Sequence, residues 1–151
     1  MTAWDGTTER KAIFITGGGS GIGQATARLF AGRGWFVGLA DINEAGMQDT
    51  AAMLPAGRSS CHKLDVRFRD QWQVALDAFA AVSGGRLDVL FNNAGVGIGG
   101  SVDTLPAEEA DFVIDVNLRG VLNGIYMAMP LLRATPGGAC ILNTASAAGL
   151  Y

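Results

Sequence analysis

The chain predicts an α/β fold, a doubly wound parallel sheet with strand order 3-2-1-4-5, and three observations carry that reading. Short apolar runs alternate with segments of helical periodicity. Five glycines crowd the seven residues from Gly17 to Gly23, directly after the first apolar run and directly before the first helical stripe. The 151 residues, 49% of them hydrophobic, suffice for one domain (1–151) whose helices cover both faces of such a sheet through right-handed crossovers.

The elements follow in order. "KAIFIT" from Lys11 is too short for a helix and ends in glycine, so it reads as the first strand. Ile22, Ala25, Thr26, Leu29 and Phe30 recur at i, i+3, i+4, i+7 and i+8, the stripe of a first helix that lays them on the sheet and closes near Gly32 and Gly34. "WFVGLA" from Trp35 is the second strand, and a weakly patterned helix from Asn43 to Leu54 is stopped by Pro55. "SSCHKLDV" is the third strand. Trp72, Leu76 and Phe79 mark the next helix, "LDVLFNNAG" the fourth strand and "GGACILNTAS" the fifth. Between the last two strands, a helical region from about Pro106 to Arg133 is apolar nearly all round, so it has more than one surface to pack against.

Composition narrows the function classes. The net charge is −3, and the eleven Lys and Arg residues form no basic run, which argues against nucleic acid. No segment offers about 18 uninterrupted apolar residues for a membrane span, and the start "MTAWDGTTERK" is polar, so the chain reads as soluble and cytoplasmic. Cys61 and Cys140 lack partners at metal-ligand spacing, and the single His62 reads as a partly exposed strand residue, so no metal site is expected. With three strands between them, the two cysteines lie roughly 19 Å apart at about 4.8 Å per strand and stay free thiols.

A glycine turn between a buried strand and a helix start exposes backbone N–H groups where the helix dipole favours negative charge, and a pyrophosphate can approach there. Gly17, Gly21 and Gly23 are spaced G-x-x-x-G-x-G, a pattern that by itself also fits a turn with no ligand. Asp41 ends the second strand, 24 residues beyond Gly17. It either caps the following helix or accepts both hydroxyls of an adenosine ribose. In the second role it repels a 2′-phosphate, and neither Ser20 nor Ile42 supplies a compensating cation, so NAD is favoured over NADP.

"TGGGSGIG" from Thr16, Asp41, "LDV" at Leu64, "NNAG" at Asn92, "VNLRG" at Val116 and "ILNTASAAG" at Ile141 stand in one order along nearly the whole chain. Together they resemble the short-chain dehydrogenase/reductase family, whose fold is Rossmann-like. The resemblance implies NAD bound by Gly17, Ser20, Gly21, Ile22, Gly23, Asp41 and Ile42. It implies adenine held by Asp65 and Val66, with the Asp65 carboxylate taking the exocyclic amine, and a nicotinamide side lined by Asn92, Asn93, Ala94 and Gly95. Asn117 is implied to hold a helix kink and a proton-relay water, and Ser146 to bond the substrate oxygen. Taken without the family, Asp65 is an acid ending an exposed strand, Asn92 to Gly95 an ordinary turn, Asn117 a core amide satisfied by backbone and Ser146 a loop serine.

The resemblance also implies a tyrosine about a dozen residues after Ser146 and a lysine four residues beyond it. Tyr151 stands five residues after Ser146 and takes no catalytic role at that spacing. The expectation is therefore a dinucleotide-binding domain truncated after its fifth strand and incomplete at the C-terminus. Two functions stand at this point. One is an NAD-dependent oxidoreductase of small alcohols and carbonyls, represented by a part; the other is a non-catalytic nucleotide-binding or interaction module. An apolar fifth strand at the sheet edge, and a helix carrying Val121, Leu122, Ile125, Tyr126 and Met129, imply a homo-oligomer.

Overall fold

In the computed structural model, residues 10–101 and 103–147 are described. Their order is β1 (Ala12–Thr16), α1 (Gly21–Gly32), β2 (Phe36–Asp41), α2 (Glu44–Ala52), β3 (Ser59–Lys63), α3 (Arg69–Ser83), β4 (Val89–Asn92), α4 (Ala107–Ile114), a π-helical turn (Asp115–Arg119), α5 (Gly120–Ala134) and β5 (Cys140–Asn143). The five strands form one parallel sheet, as the alternation predicts, and their order β3-β2-β1-β4-β5 is the usual one taken in the sequence reading.

β1 lies at the centre, and its side chains alternate between two buried layers. Ala12 and Phe14 join Trp72, Leu76 and Phe79 of α3 and Ala128 and Leu132 of α5. Ile13 and Ile15 join Val37 and Leu39 of β2, Ala27 and Ala31 of α1 and Met47 of α2. The helices α3 and α5 therefore pack on one face, and α1 and α2 on the other.

The stripe expected on α1 is corrected by the structure. Ile22 is 62% exposed and Leu29 50% exposed, while Gly23, Ala27 and Ala31 are buried. The ridge facing the sheet is thus i, i+4, i+8 of the smallest residues. Small side chains let the helix axis come close to Ile13 and Ile15, and at that separation a leucine has no room underneath. Of the expected stripe, Phe30 does pack against this core, while Ile22 and Leu29 point away from it.

His62 is also corrected: it is 7% exposed rather than partly exposed. Its ring lies 5.6 Å from that of Phe14 and 6.0 Å from that of Phe79, and its Nε2 is 2.7 Å from Ser60 Oγ. α3 folds over this side of the edge strand and takes His62 into the aromatic cluster. Cys61 and Cys140 sit on opposite edge strands and are both free. β5 leaves Cys140, Leu142 and Asn143 exposed and Ile141 half-buried.

Burial lowers the proton affinity of His62, bringing its pKa to about 4 from an ordinary 6.5. As pH falls through this window, the unfolded chain takes up a proton that the folded chain refuses, so stability drops, by up to about 3 kcal/mol. Urea unfolding at pH 7 and pH 4.5 should show this loss, and His62→Gln should flatten it. An equal loss in the variant would assign the effect to other groups.

Candidate functional site

The site is built where the strands end. In a parallel sheet of this order, β1 and β4 carry the chain away in opposite directions, and their carboxyl ends open a crevice. Thr16, the last residue of β1, fastens its two sides. Its Oγ1 accepts from Asn93 N and Ala94 N, each at 3.0 Å, and Asn93 Nδ2 donates back to Thr16 O at 3.1 Å.

After Thr16 the chain turns sharply, with Gly17 at φ +67°, a conformation that side chains disfavour. It then enters α1 so tightly that a Cβ on Gly23 would stand 2.0 Å from Gly17 O. Ser20 is extended at the helix start, and its side chain makes no capping bond. No acidic residue occupies the first turn of α1. The start of this helix therefore combines a positive dipole end, with no acidic residue in its own first turn, and backbone N–H groups that no side chain at the cap satisfies.

Asp41 is held from two sides. Its Oδ2 accepts from Gly19 N at 2.9 Å and its Oδ1 from Asn43 N at 3.0 Å. Asn43, not Asp41, caps α2, accepting from Gly46 N at 3.0 Å. The choice left open in the sequence is thereby narrowed: the aspartate does not cap the helix, and it stands on the wall of the crevice, tied to the glycine turn.

A cleft of about 480 Å³ runs from the glycine turn past Asp41 to the residues after β3. Of the predicted positions, Gly17, Ser20, Gly21 and Ile22 line one end, Asp41, Ile42, Asp65 and Val66 the other, and Asn93, Ala94 and Gly95 the side toward β4. Gly23 lies beneath the turn. Asn92 is buried under the cleft, donating through Nδ2 to Asn143 Oδ1 at 3.0 Å and so joining β4 to β5.

Asn117 sits inside the π-helical turn and is exposed, a correction to its reading as a core amide. Its neighbour Val116 takes the buried position instead. Both ends of its amide are used: Oδ1 accepts from Val96 N and Nδ2 donates to Val96 O, each at 2.8 Å. The side chain thus ties the loop after β4, whose Val96 lines the cleft, to the helix. Ser146 is exposed just beyond β5 and is not part of the cleft wall. Tyr151 lies outside the described residues.

Sequence reasoning missed Arg67, Phe112 and Thr144, which also line the cleft. Thr144 Oγ1 donates to Asn93 Oδ1 at 3.0 Å. Arg67 grips Asp65: Nε bonds Oδ1 and Oδ2 at 2.9 and 3.1 Å, and Nη2 bonds Oδ2 at 2.6 Å. These hydrogen bonds hold the Asp65 carboxyl below the usual carboxylate range. Nothing in a sequence spacing marks such a pair, since Arg two residues after Asp is common on any exposed strand end. Among the described residues, no three His, Cys, Asp or Glu side chains gather to hold a metal.

The sequence profile of the family described as short chain dehydrogenase matches residues 11–151. The chain is similar to meso-2,3-butanediol dehydrogenase of Serratia marcescens, 38% identical over 142 residues that cover 94% of this chain and 55% of that protein. It is also similar to cyclohexanol dehydrogenase of Acinetobacter sp. (strain SE19), 39% identical over 143 residues, 93% of this chain and 56% of that one. Among solved structures, a short chain dehydrogenase/reductase from Burkholderia phymatum in complex with NAD has a TM-score of 0.88 at 37% identity, covering 94% of this chain and 51% of that one. The chain spans about half the length of the curated relatives it matches.

The approach of α1 to the turn gives a direct test. Gly23→Ala should lower the free energy of unfolding by about 1–3 kcal/mol, because the backbone of Gly17 must move. Gly32→Ala, with nothing within 4 Å of the added Cβ, should leave stability unchanged or raise it slightly. Equal unfolding midpoints for the two variants would show that the turn yields freely.

Proposed function

The chain belongs to the short-chain dehydrogenase family, and from that we propose that it forms the dinucleotide-binding part of an NAD-dependent oxidoreductase acting on a small alcohol or carbonyl compound. The observation that carries the reading is Asp41, fixed by Gly19 N and Asn43 N at the mouth of the glycine turn. A ribose hydroxyl pair suits a carboxylate whose orientation is already set, and a 2′-phosphate there meets its charge. The neighbouring cation, Arg67, is committed to Asp65.

The remaining residues fit this cofactor. The uncapped start of α1, with Gly17 and Gly21 beside it, suits a pyrophosphate. Ala94 and Gly95 wall the side of the cleft where the nicotinamide belongs, and Asn117 steadies that wall through Val96. When bound, the nicotinamide ring supplies or receives the hydride. Ser146 is the residue we assign to the substrate oxygen, where a hydroxyl donor stabilises the charge that develops during the transfer.

No tyrosine is followed four residues later by lysine within the 151 residues. The proton-moving step is accordingly proposed for the whole protein, and binding and orientation for these residues. The named activities of the two dehydrogenase relatives support a secondary alcohol or its ketone as the substrate class.

Titration calorimetry of the chain with NAD+ and NADP+ tests the cofactor. NAD+ should bind at least tenfold more tightly, and Asp41→Ala should narrow the gap. Tighter binding of NADP+ by the unaltered chain would overturn the assignment.

We also propose self-association through the exposed apolar side of the helix after Pro106. Leu118, Leu122 and Tyr126 are exposed there at a spacing of four residues, and exposed apolar surface of this kind marks interaction sites. Sedimentation velocity should give a dimer or larger species at tens of micromolar, reduced by Leu122→Lys. A monomer at that concentration would refute it.

A further inference from the structure

The loop after β3 carries an inference that rests on the dinucleotide reading and deepens it. Val66 closes the far end of the cleft beside Asp41 and Ile42, where that reading puts the adenosine half of the cofactor. It stands three residues past the end of β3, outside the strand ladder, so its backbone takes partners from elsewhere in the chain.

Those partners come from two helices. Trp72 Nε1, on α3, donates to Val66 O at 3.0 Å. Asn123, buried on α5, donates through Nδ2 to Val66 O and to Arg67 O, each at 3.1 Å. Its Oδ1 accepts from Arg69 Nε at 2.8 Å. Two carbonyls on one side and a guanidinium N–H on the other leave the amide a single orientation, with its nitrogen and its oxygen both engaged. An aspartate there would set an oxygen against two carbonyl oxygens, and a leucine would take this donor away from Arg67 O. The position calls for an amide.

The side chain of Val66 is seated by the same helix. A Cβ added at Gly120, the first residue of α5, would stand 2.6 Å from Val66 Cγ2 and 3.1 Å from Val66 Cβ. Bare backbone is what lets the helix lie against Val66 this closely. Gly120 and Asn123 are three residues apart and so share one face of α5, the face turned toward Val66.

We propose that α5 positions the far wall of the cleft, with Asn123 holding the backbone of Val66 and Gly120 seating its side chain. Neither residue lines the cleft, and each acts through Val66. A support of this kind raises affinity by keeping the wall in its bound geometry before the ligand arrives.

Titration calorimetry of the full 151-residue chain with NAD+ and with ADP-ribose tests this. Asn123→Leu should weaken both ligands by about tenfold, the equivalent of one hydrogen bond. Gly120→Ala removes no hydrogen bond and dislodges only Val66; it should weaken both ligands too, and it carries the test if Asn123→Leu does not fold. Thr135→Val is the control for stability alone. Thr135 Oγ1 accepts from Leu87 N at 2.9 Å and donates to Leu87 O at 3.0 Å, at the end of the sheet opposite the cleft. That variant should lower the urea midpoint and leave both affinities unchanged. Unchanged affinity in folded Asn123→Leu or in Gly120→Ala, a loss confined to NAD+, or an equal loss in Thr135→Val would overturn the inference and leave the dinucleotide reading standing. Failure of the unaltered chain to bind either ligand would overturn the two together.

Discussion

The close seating of α1 on the turn after β1 is the constraint on which the remaining structure depends. With Gly23 against the carbonyl of Gly17, the helix starts immediately over the end of the central strand. Its axis then runs near enough to the sheet that only Ala27 and Ala31 fit beneath it. The same seating brings Gly19 to Asp41, so the end of β2 is fixed relative to the helix start by a hydrogen bond as well as by strand pairing. One steric fact thus positions both the dipole end and the carboxylate that face the cleft.

Opposite this rigid corner, the wall of the cleft is held by side-chain amides. Asn117 binds the backbone of Val96, Asn123 binds that of Val66 and Arg67, and Asn93 binds that of Thr16. Each amide stands where a loop leaves the sheet and has no strand partner for its own backbone groups. The helix from α4 through α5 supplies two of the three. Its π-helical turn sits at Asn117, where the helix must present an exposed amide to one loop while Val116 enters the core. The cleft and the helix surface are therefore coupled through hydrogen bonds rather than through hydrophobic contact alone.

Much of this was legible in the residues. The strands, their parallel pairing and the positions of Asp41 and the glycines followed from periodicity and from spacing along the chain, and the strand order from the usual form of such a sheet. Eleven of the predicted residues line one cleft because the order of the motifs and the topology of a parallel sheet leave them only the carboxyl ends of the strands to occupy. The exposure of Ile22 and Leu29 was not legible, since a hydrophobic stripe and a small-residue ridge compete for the same helix and the distance to the sheet decides between them. The burial of His62 was equally hidden, because an edge strand is covered or open according to the helix folded over it.

By itself, the sequence determined the local chemistry: where backbone is bare, where a carboxylate ends a strand, which segments can span a buried sheet. These are properties of a residue and its near neighbours, and they do not need the rest of the chain to be stated. The tertiary structure alone decided which groups meet across 20 or more residues of sequence, and hence what each is free to do. Asp65 reads in the sequence as an acid ending an exposed strand, yet both its oxygens accept hydrogen bonds from Arg67. That grip lasts because Phe112 lies beside the guanidinium and Asn123 pins the backbone below, one from α4 and one from α5, far along the chain. Hydrogen-bonding capacity is a property of the residue, but its occupancy depends on what the fold brings within 3 Å.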